Sequence, residues 1–193
     1  MSLPIEDTFQ INKLITGWIH RDLGEWDQLR GLFHPDGTIE VTWFDGKFSD
    51  FVEGSIRMGG SKIKTKHLIG TPVITFQGDR AFVETNAVIV GQNLELGLGC
   101  ETHNRFIDTA EKRDGVWKLV KRQSVYDMGS FTFPLGLVEI DRTVTAKYPP
   151  EYAALAYLLE MSGFPVKRVY ATRGSDLEKS MKAEVYRWLN AGQ

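Results

Sequence analysis

The sequence is short of the features that settle a function by themselves. It holds one cysteine, Cys100, so an internal disulfide framework is excluded and the cytoplasm is the expected compartment. No apolar run approaches the ~18–20 residues that span a bilayer. Met1 to Phe9 lack the basic stretch followed by an apolar run that marks a secretory leader. Positive charge is not in excess: 23 Lys and Arg stand against 25 Asp and Glu, so neither nucleic acid nor a membrane surface is an expected partner. The four histidines form no HxH or HxxxH pair, and no metal is expected. Gly97-Leu98-Gly99 lacks the strand–GxGxxG–helix setting of a dinucleotide site. Cys100 has no activating neighbour and reads as a small buried hydrophobe. There is no repeat and no low-complexity tract.

What remains is an ordinary globular composition, with 42% hydrophobic and 25% charged residues in 193. That is enough for one domain with a core and an appended extension. The first third reads as helical. Asp7 and Gln10 resemble a capping box, with Ser2 before Pro4 as another start. Trp26, Leu29, Leu32 and Phe33 mark a short second helix, and His34 to Gly37 end it. Thr38 to Phe44 reads as a strand, Asp45-Gly46 as a turn, and Phe51, Ile56 and Met58 as a short helix closed by Gly59-Gly60.

The middle third reads as strands. Lys64 to Phe76 is broken by Gly70 and Pro72. After a turn at Gln77 to Arg80 come Ala81–Val90, Cys100–Asp108 and Val116–Tyr126, the last two joined by a hairpin at Arg113-Asp114-Gly115. Lys112 and Arg113 read as its solvated tip. Helices followed by an antiparallel meander predict an α+β domain, a curved sheet with helices on one face. The last sixty residues carry two more amphipathic helices. One opens at Pro149-Pro150 with the stripe Tyr152, Leu155, Ala156, Leu159. The other opens at a Ser175–Glu178 capping box and carries Leu177, Met181, Val185, Trp188 and Leu189.

One residue breaks the pattern. Ile11, Leu14, Ile15, Trp18 and Ile19 repeat at helical spacing, and at about 100° per residue Asp22 falls near the middle of that apolar arc. Leu23-Gly24 reads as a left-handed stop, so the carboxylate also faces the negative end of the helix dipole. Two unfavourable terms at one position call for a positive partner. His67, on a strand, is a candidate. A carboxylate accepting from one ring nitrogen fixes the tautomer and leaves the other nitrogen as a base near neutral pH.

Three segments carry a resemblance: Asp22 to Leu29, Thr65 to Gly70, and Asp114 to Lys118. Together they are similar to the SnoaL-like branch of the NTF2-like superfamily, and most to its scytalone dehydratase and hexachlorocyclohexane dehydrochlorinase members. The stretch Met128 to Phe133 also echoes the dehydratase. The resemblance covers roughly residues 5 to 135. It implies an NTF2-like, cystatin-like cone, a bent antiparallel sheet around a pocket closed by N-terminal helices. It implies domain boundaries of 1–135, with a helical extension over 136–193 that packs on the domain or at an oligomer interface. It also implies proton abstraction without metal or organic cofactor, on a small, cyclic, hydrophobic ligand, in a homo-oligomer (trimer or dimer).

On this resemblance Asp22 and His67 take the positions of an Asp–His dyad, and Arg122 that of an arginine assisting the leaving group. Thr102 or Asn104 falls near a pocket Ser/Asn pair; a register slipped by one turns His103 inward instead. Alternation from Val41 and Arg122 adds Trp43, Ser124 and Tyr126 to the pocket. Other family positions differ: Gly91 stands where the dehydratase has a second histidine, Arg21 and Val41 where it has two tyrosines, and Gly17 near the dehydrochlorinase's lysine. The expected function is a lyase or isomerase. The alternative is a ligand-binding or assembly subunit resembling the small subunit of aromatic-ring dioxygenases. Gly136, Gly163 and Gly174 are candidate hinges if the extension acts as a lid.

Overall fold

A computed structural model describes residues 5–191. The N-terminal stripe forms not one helix but two. Helix α1 (Ile5–Thr16) buries Ile11, Leu14 and Ile15. The chain then tightens from Trp18, whose N, like those of His20 and Arg21, bonds to the third residue back, and resumes as α2 (Ile19–Leu23). Gly17 explains the break: a Cβ there would lie 2.7 Å from Leu32 Cδ2. The kink turns Ile19 out, 52% exposed, while Trp18 stays buried. Gly24 closes α2 at φ 72°, in the left-handed region, as Leu23-Gly24 predicts. The second expected start, at Ser2 and Pro4, lies outside the described residues. Asp7 caps nothing. It sits within α1 and accepts from Trp117 Nε1 and Lys112 Nζ, both at 2.8 Å.

Helix α3 (Trp26–Arg30) leads into β1 (Phe33–Val41), which pairs with β2 (Phe44–Lys47). Val41 faces Phe44 across this hairpin, so the reversal falls at Thr42-Trp43, and Asp45-Gly46 belong to the strand. Helix α4 (Phe48–Gly59) follows, then β3 (Lys64–Ile69), β4 (Val73–Gln77), β5 (Arg80–Asn93), β6 (Leu98–Arg113) and β7 (Val116–Thr132). The order across the sheet is β2-β1-β7-β6-β5-β3, with β4 also along β5. Only β1 and β7 run parallel. The long strands outrun their expected limits because partly polar segments pair as well as apolar ones. Two register shifts, between His103 and Asn104 and between Thr109 and Ala110, bend the β6–β7 ribbon. The result is the expected α+β cone of NTF2-like, cystatin-like type, open along its edges.

After the sheet come α5 (Arg142–Thr145), α6 (Ala153–Met161) and α7 (Asp176–Asn190). Helix α6 starts three residues after Pro149-Pro150, not on it. Its Leu155, Leu158 and Leu159 share a core with Leu98, Cys100 and Tyr126 on the concave side. Helix α7 lies on the opposite side, where Met181, Val185 and Leu189 meet Phe82, Ile107 and Val125. Ser175 caps it, accepting from Glu178 N at 3.2 Å. The two stripes of the extension therefore pack against the chain's own sheet, one on each face, except for Leu177, which is 46% exposed.

Candidate functional site

The geometry begins at the edge of the sheet. Strand β3 pairs only with β5, so its outer edge offers backbone N–H groups without strand partners. Asp22, at the end of α2, meets one of them. Its Oδ2 accepts from the His67 backbone N at 2.6 Å, and its Oδ1 lies 2.7 Å from His67 Nδ1. The two side chains are each 8% exposed. A carboxylate accepting at Nδ1 places the ring proton there and leaves Nε2 as the free base. Nε2 has no hydrogen-bond partner among the described residues, and the ring lines an internal cavity. Burial pushes the His67 proton affinity below its ordinary value; the hydrogen bond that its ring donates to Asp22 opposes that, and the charges of Arg21 and Arg122 reinforce it.

The cavity holds about 40 Å³ of space, room for a few waters rather than a ring. Its walls are mostly apolar: Trp18, Phe51 and Phe106 from the body of the cone, and Leu155 and Leu159 from α6. Of the residues the sequence assigns to the pocket, Val41, Trp43, Ser124 and Tyr126 line it. Tyr126 is anchored by Thr42, whose N donates to its hydroxyl at 3.1 Å. Thr102 and Asn104 are buried on the same inward side of β6 but are not part of the wall. Thr102 Oγ1 and Asn104 Oδ1 have no partner among the described residues. His103 points to the outer face, 46% exposed and 2.9 Å from Glu101, so the slipped register does not occur.

Arg122 is placed differently from its expected role. Its Nε and Nη2 donate to Asp108 at 2.9 and 2.7 Å. Both side chains are fully buried, and the guanidinium lies over the rings of Phe106 and Trp18, 4.1 and 4.5 Å from their centroids. It does not line the cavity; its Nη1 is without a partner among the described residues. Burial pushes the Asp108 carboxyl up, and only the charge and hydrogen bonds of Arg122 hold it down.

The residue that sequence reasoning missed is Arg21. It is the buried residue of α2 and it lines the cavity beside His67. Nη1 donates to Thr65 Oγ1 at 2.8 Å and Nη2 reaches Met58 Sδ at 3.3 Å. Asp22 Oδ1 stands 3.8 Å away, beyond hydrogen-bond range. Burial lowers its pKa to about 10, with Asp22 opposing. Two signals pointed to it: its place next to Asp22 and its alignment with a tyrosine of the dehydratase.

Gly91 carries a structural reason of its own. A Cβ there would meet Leu158 Cδ2 at 3.0 Å and Cys100 Sγ at 3.4 Å. The space that a larger side chain would fill on β5 is taken by α6.

The sequence pattern of the SnoaL-like domain matches residues 4–123. Pea pathogenicity protein 2 of Fusarium vanettenii is 31% identical over 170 residues, 82% of this chain and 71% of its own. A scytalone dehydratase-like protein of Novosphingobium aromaticivorans superposes with a TM-score of 0.58 at 19% identity, over 70% of this chain and 97% of its own. The hexachlorocyclohexane dehydrochlorinase LinA-type3 of Novosphingobium barchaimii gives 0.59 at 17% identity, over 70% and 97%. At such identities the two structures speak for the fold and not for the reaction. The sequence match spans more than half of the chain and includes both Asp22 and His67: the chain belongs to the SnoaL-like domain family.

Proposed function

We propose that this protein is a lyase or isomerase in which His67 removes a proton from carbon and Asp22 orients the ring. The observation that carries the reading is the two-point grip of one carboxylate on the backbone and the ring of the same histidine. A base needs the right nitrogen free, a fixed direction and a proton affinity below or near the working pH. His67 meets the three conditions. The carboxylate settles the tautomer, the backbone contact settles the direction, and burial keeps the imidazole neutral.

The step balances without a further reagent. The Nε2 lone pair takes the proton, and the C–H electron pair becomes a new C=C bond. The bond to a leaving group on the next carbon breaks, and its electrons go with that group. The imidazolium then gives its proton to the leaving group or to water. In an isomerisation no group departs, and the proton returns to a different carbon. Base catalysis of this kind contributes ~10²–10⁴-fold. Positioning and charge stabilisation by the rest of the cavity supply the remainder.

The test is a titration of His67 by nitrogen-15 NMR in wild type and in Asp22→Asn. The expected wild-type ring is the Nδ1–H tautomer with a midpoint below the free value of about 6.5. In Asp22→Asn the midpoint falls further, because the group that favours imidazolium is gone. A ring that titrates at its free value in both proteins would overturn the dyad. The same spectra would then favour the second reading, a ligand-binding module without chemistry.

A further inference from the structure

Arg21 stands where two spaces meet. Together with Thr65 and Met58 it belongs to the wall of the inner cavity and also to that of an open outer cleft of about 550 Å³. The inner cavity is too small for a substrate-sized molecule, and the outer cleft has the size of an ordinary ligand site. A molecule reaching His67 from this side passes the guanidinium.

The charge on that guanidinium is only loosely paired, with Asp22 Oδ1 3.8 Å from Nη1. An arginine carries five N–H donors. The described residues give Arg21 two acceptors, a neutral hydroxyl and a thioether. Asp22, the nearest carboxylate, already accepts from the ring and the backbone of His67. The side chain is 7% exposed, so water reaches little of it, and burial lowers its pKa to about 10. A buried cation in such a state is completed by an anion from outside the chain. The surroundings agree. The charged residues of the cleft wall are Arg21, Lys64 and Asp22, which leaves positive charge in excess. Ser55, on the same wall, has a hydroxyl without a partner among the described residues.

We propose that Arg21 is an anion-binding residue, and that the substrate is a small organic carboxylate held with its acid group on Arg21 and its reacting carbon toward His67. This rests on the reading of His67 as a base for its second half, and on Arg21 alone for its first. A carboxylate suits a planar fork of donors, which can meet both oxygens at once. It also puts a fixed charge at one end of the ligand, which sets the direction of the other end.

The probes are two matched pairs, benzoate with benzamide and acetate with acetamide, each differing in charge and little in size. They are titrated into the full chain labelled with nitrogen-15 at arginine and histidine. The expected result is movement of the Arg21 Nε–H signal with the anions, and an affinity at least tenfold better for the anion in at least one pair. Arg21→Gln removes that preference and Arg21→Lys keeps part of it. The wild-type spectra need no variant, so a poorly folded substitution does not blunt the test. Arg21 signals unmoved by both anions, or a preference that survives Arg21→Gln, would overturn the proposal. The two readings separate cleanly. Anion preference with a His67 that titrates freely leaves the anion site and removes the base; a shifted His67 with no anion preference does the reverse.

Discussion

Arg122 and Arg21 are both buried, both lie near His67 and both oppose its protonation, yet the chain treats them in different ways. Arg122 has a carboxylate of its own, two short hydrogen bonds to it, and two aromatic rings against its guanidinium. Its charge is used up within the fold. Arg21 has a hydroxyl, a sulfur and a carboxylate that is engaged elsewhere. What separates a structural arginine from one able to act on a ligand is therefore not burial, nor nearness to the base, but whether a carboxylate is hydrogen-bonded to the guanidinium. By that criterion Arg122 belongs to the framework of the cone, and Arg21, which stands where the dehydratase has a tyrosine, is the arginine left to the cavity and the cleft.

The sharpest way to break this contrast is to remove the counter-charge of one and the charge of the other. Asp108→Asn leaves Arg122 ionised, dry and unpaired, and removing one partner of a buried pair costs about 3–5 kcal/mol. Arg21→Met deletes a cation that the fold leaves poorly solvated, and its expected cost is below about 1 kcal/mol, with a gain in stability allowed. Urea midpoints of the two variants measure both. Equal losses would mean that Arg21 is as much a part of the framework as Arg122.

How far the sequence reaches can be judged on these same residues. The hairpin at Asp114-Gly115 is legible because its cause is local: Asp114 and Gly115 take φ 52° and 79°, and residues of those types tolerate that region. Counting back from it on an unbroken ladder would set Asp108 opposite Lys121. In the structure Asp108 faces Arg122, because Val120 is an extra residue in β7 and shifts the register by one. A bulge has no strong sequence signal, so the Arg122–Asp108 pair was out of reach. The helical arc pointed to Asp22, and correctly to its inward placement, although Ile19 on the same arc turned to solvent at the Gly17 kink. The partner of Asp22 came from family resemblance and not from spacing, since forty-odd residues separate it from His67 and only the sheet brings them together. Arg21 is named from the sequence only as a departure, standing where the dehydratase has a tyrosine, and a long charged side chain next to an amphipathic stripe is usually solvated. The break in the helix, set by the closeness of Leu32 to Gly17, is what turned it inward.

A third arginine sharpens the comparison on the outer face. Arg105 meets Asp127, Glu84 and Glu178 at 2.7–3.2 Å, and Lys182 joins Glu84 and Glu178. Here the counter-charge is in excess, and the network fastens α7 to the sheet. Glu178→Gln is expected to cost about 2 kcal/mol, the scale of a hydrogen bond to a charged group. The Glu178 carboxyl is held down to about 2, the hydrogen bonds from Arg105 and Gly174 outweighing burial. A carboxylate with a depressed folded value contributes stability above its unfolded pKa, near 4.5, and that contribution fades as the pH falls toward 2. Thermal melts from pH 6 to pH 2.5 should show a shallower acid loss in Glu178→Gln than in wild type. Identical slopes would mean that the network is ornamental and α7 is held by Met181, Val185 and Leu189 alone.

The smallest effect expected is also the one that joins the two arginines to the base. A histidine whose folded value is depressed is neutral in the fold while the unfolded chain takes up a proton below about 6.5. The chain therefore keeps this part of its stability above pH 6.5 and loses it as the pH falls from there through the folded value. Each unit of depression is worth about 1.4 kcal/mol at most. Arg21→Met takes away one of the two cations that oppose imidazolium, so the His67 midpoint should rise by a fraction of a unit and the acid loss of stability should shrink with it. Arg122 cannot be used for the matching experiment, because its removal strands Asp108. Asp22→Asn moves the midpoint the other way. If Arg21→Met left the His67 midpoint where it was, the guanidinium would have to be screened from the ring by water or by a displaced side chain. A ligand carboxylate resting on Arg21 would then leave the base undisturbed, whereas an unscreened Arg21 ties the two together: neutralising it with an anion should raise the proton affinity of His67 as the substrate arrives.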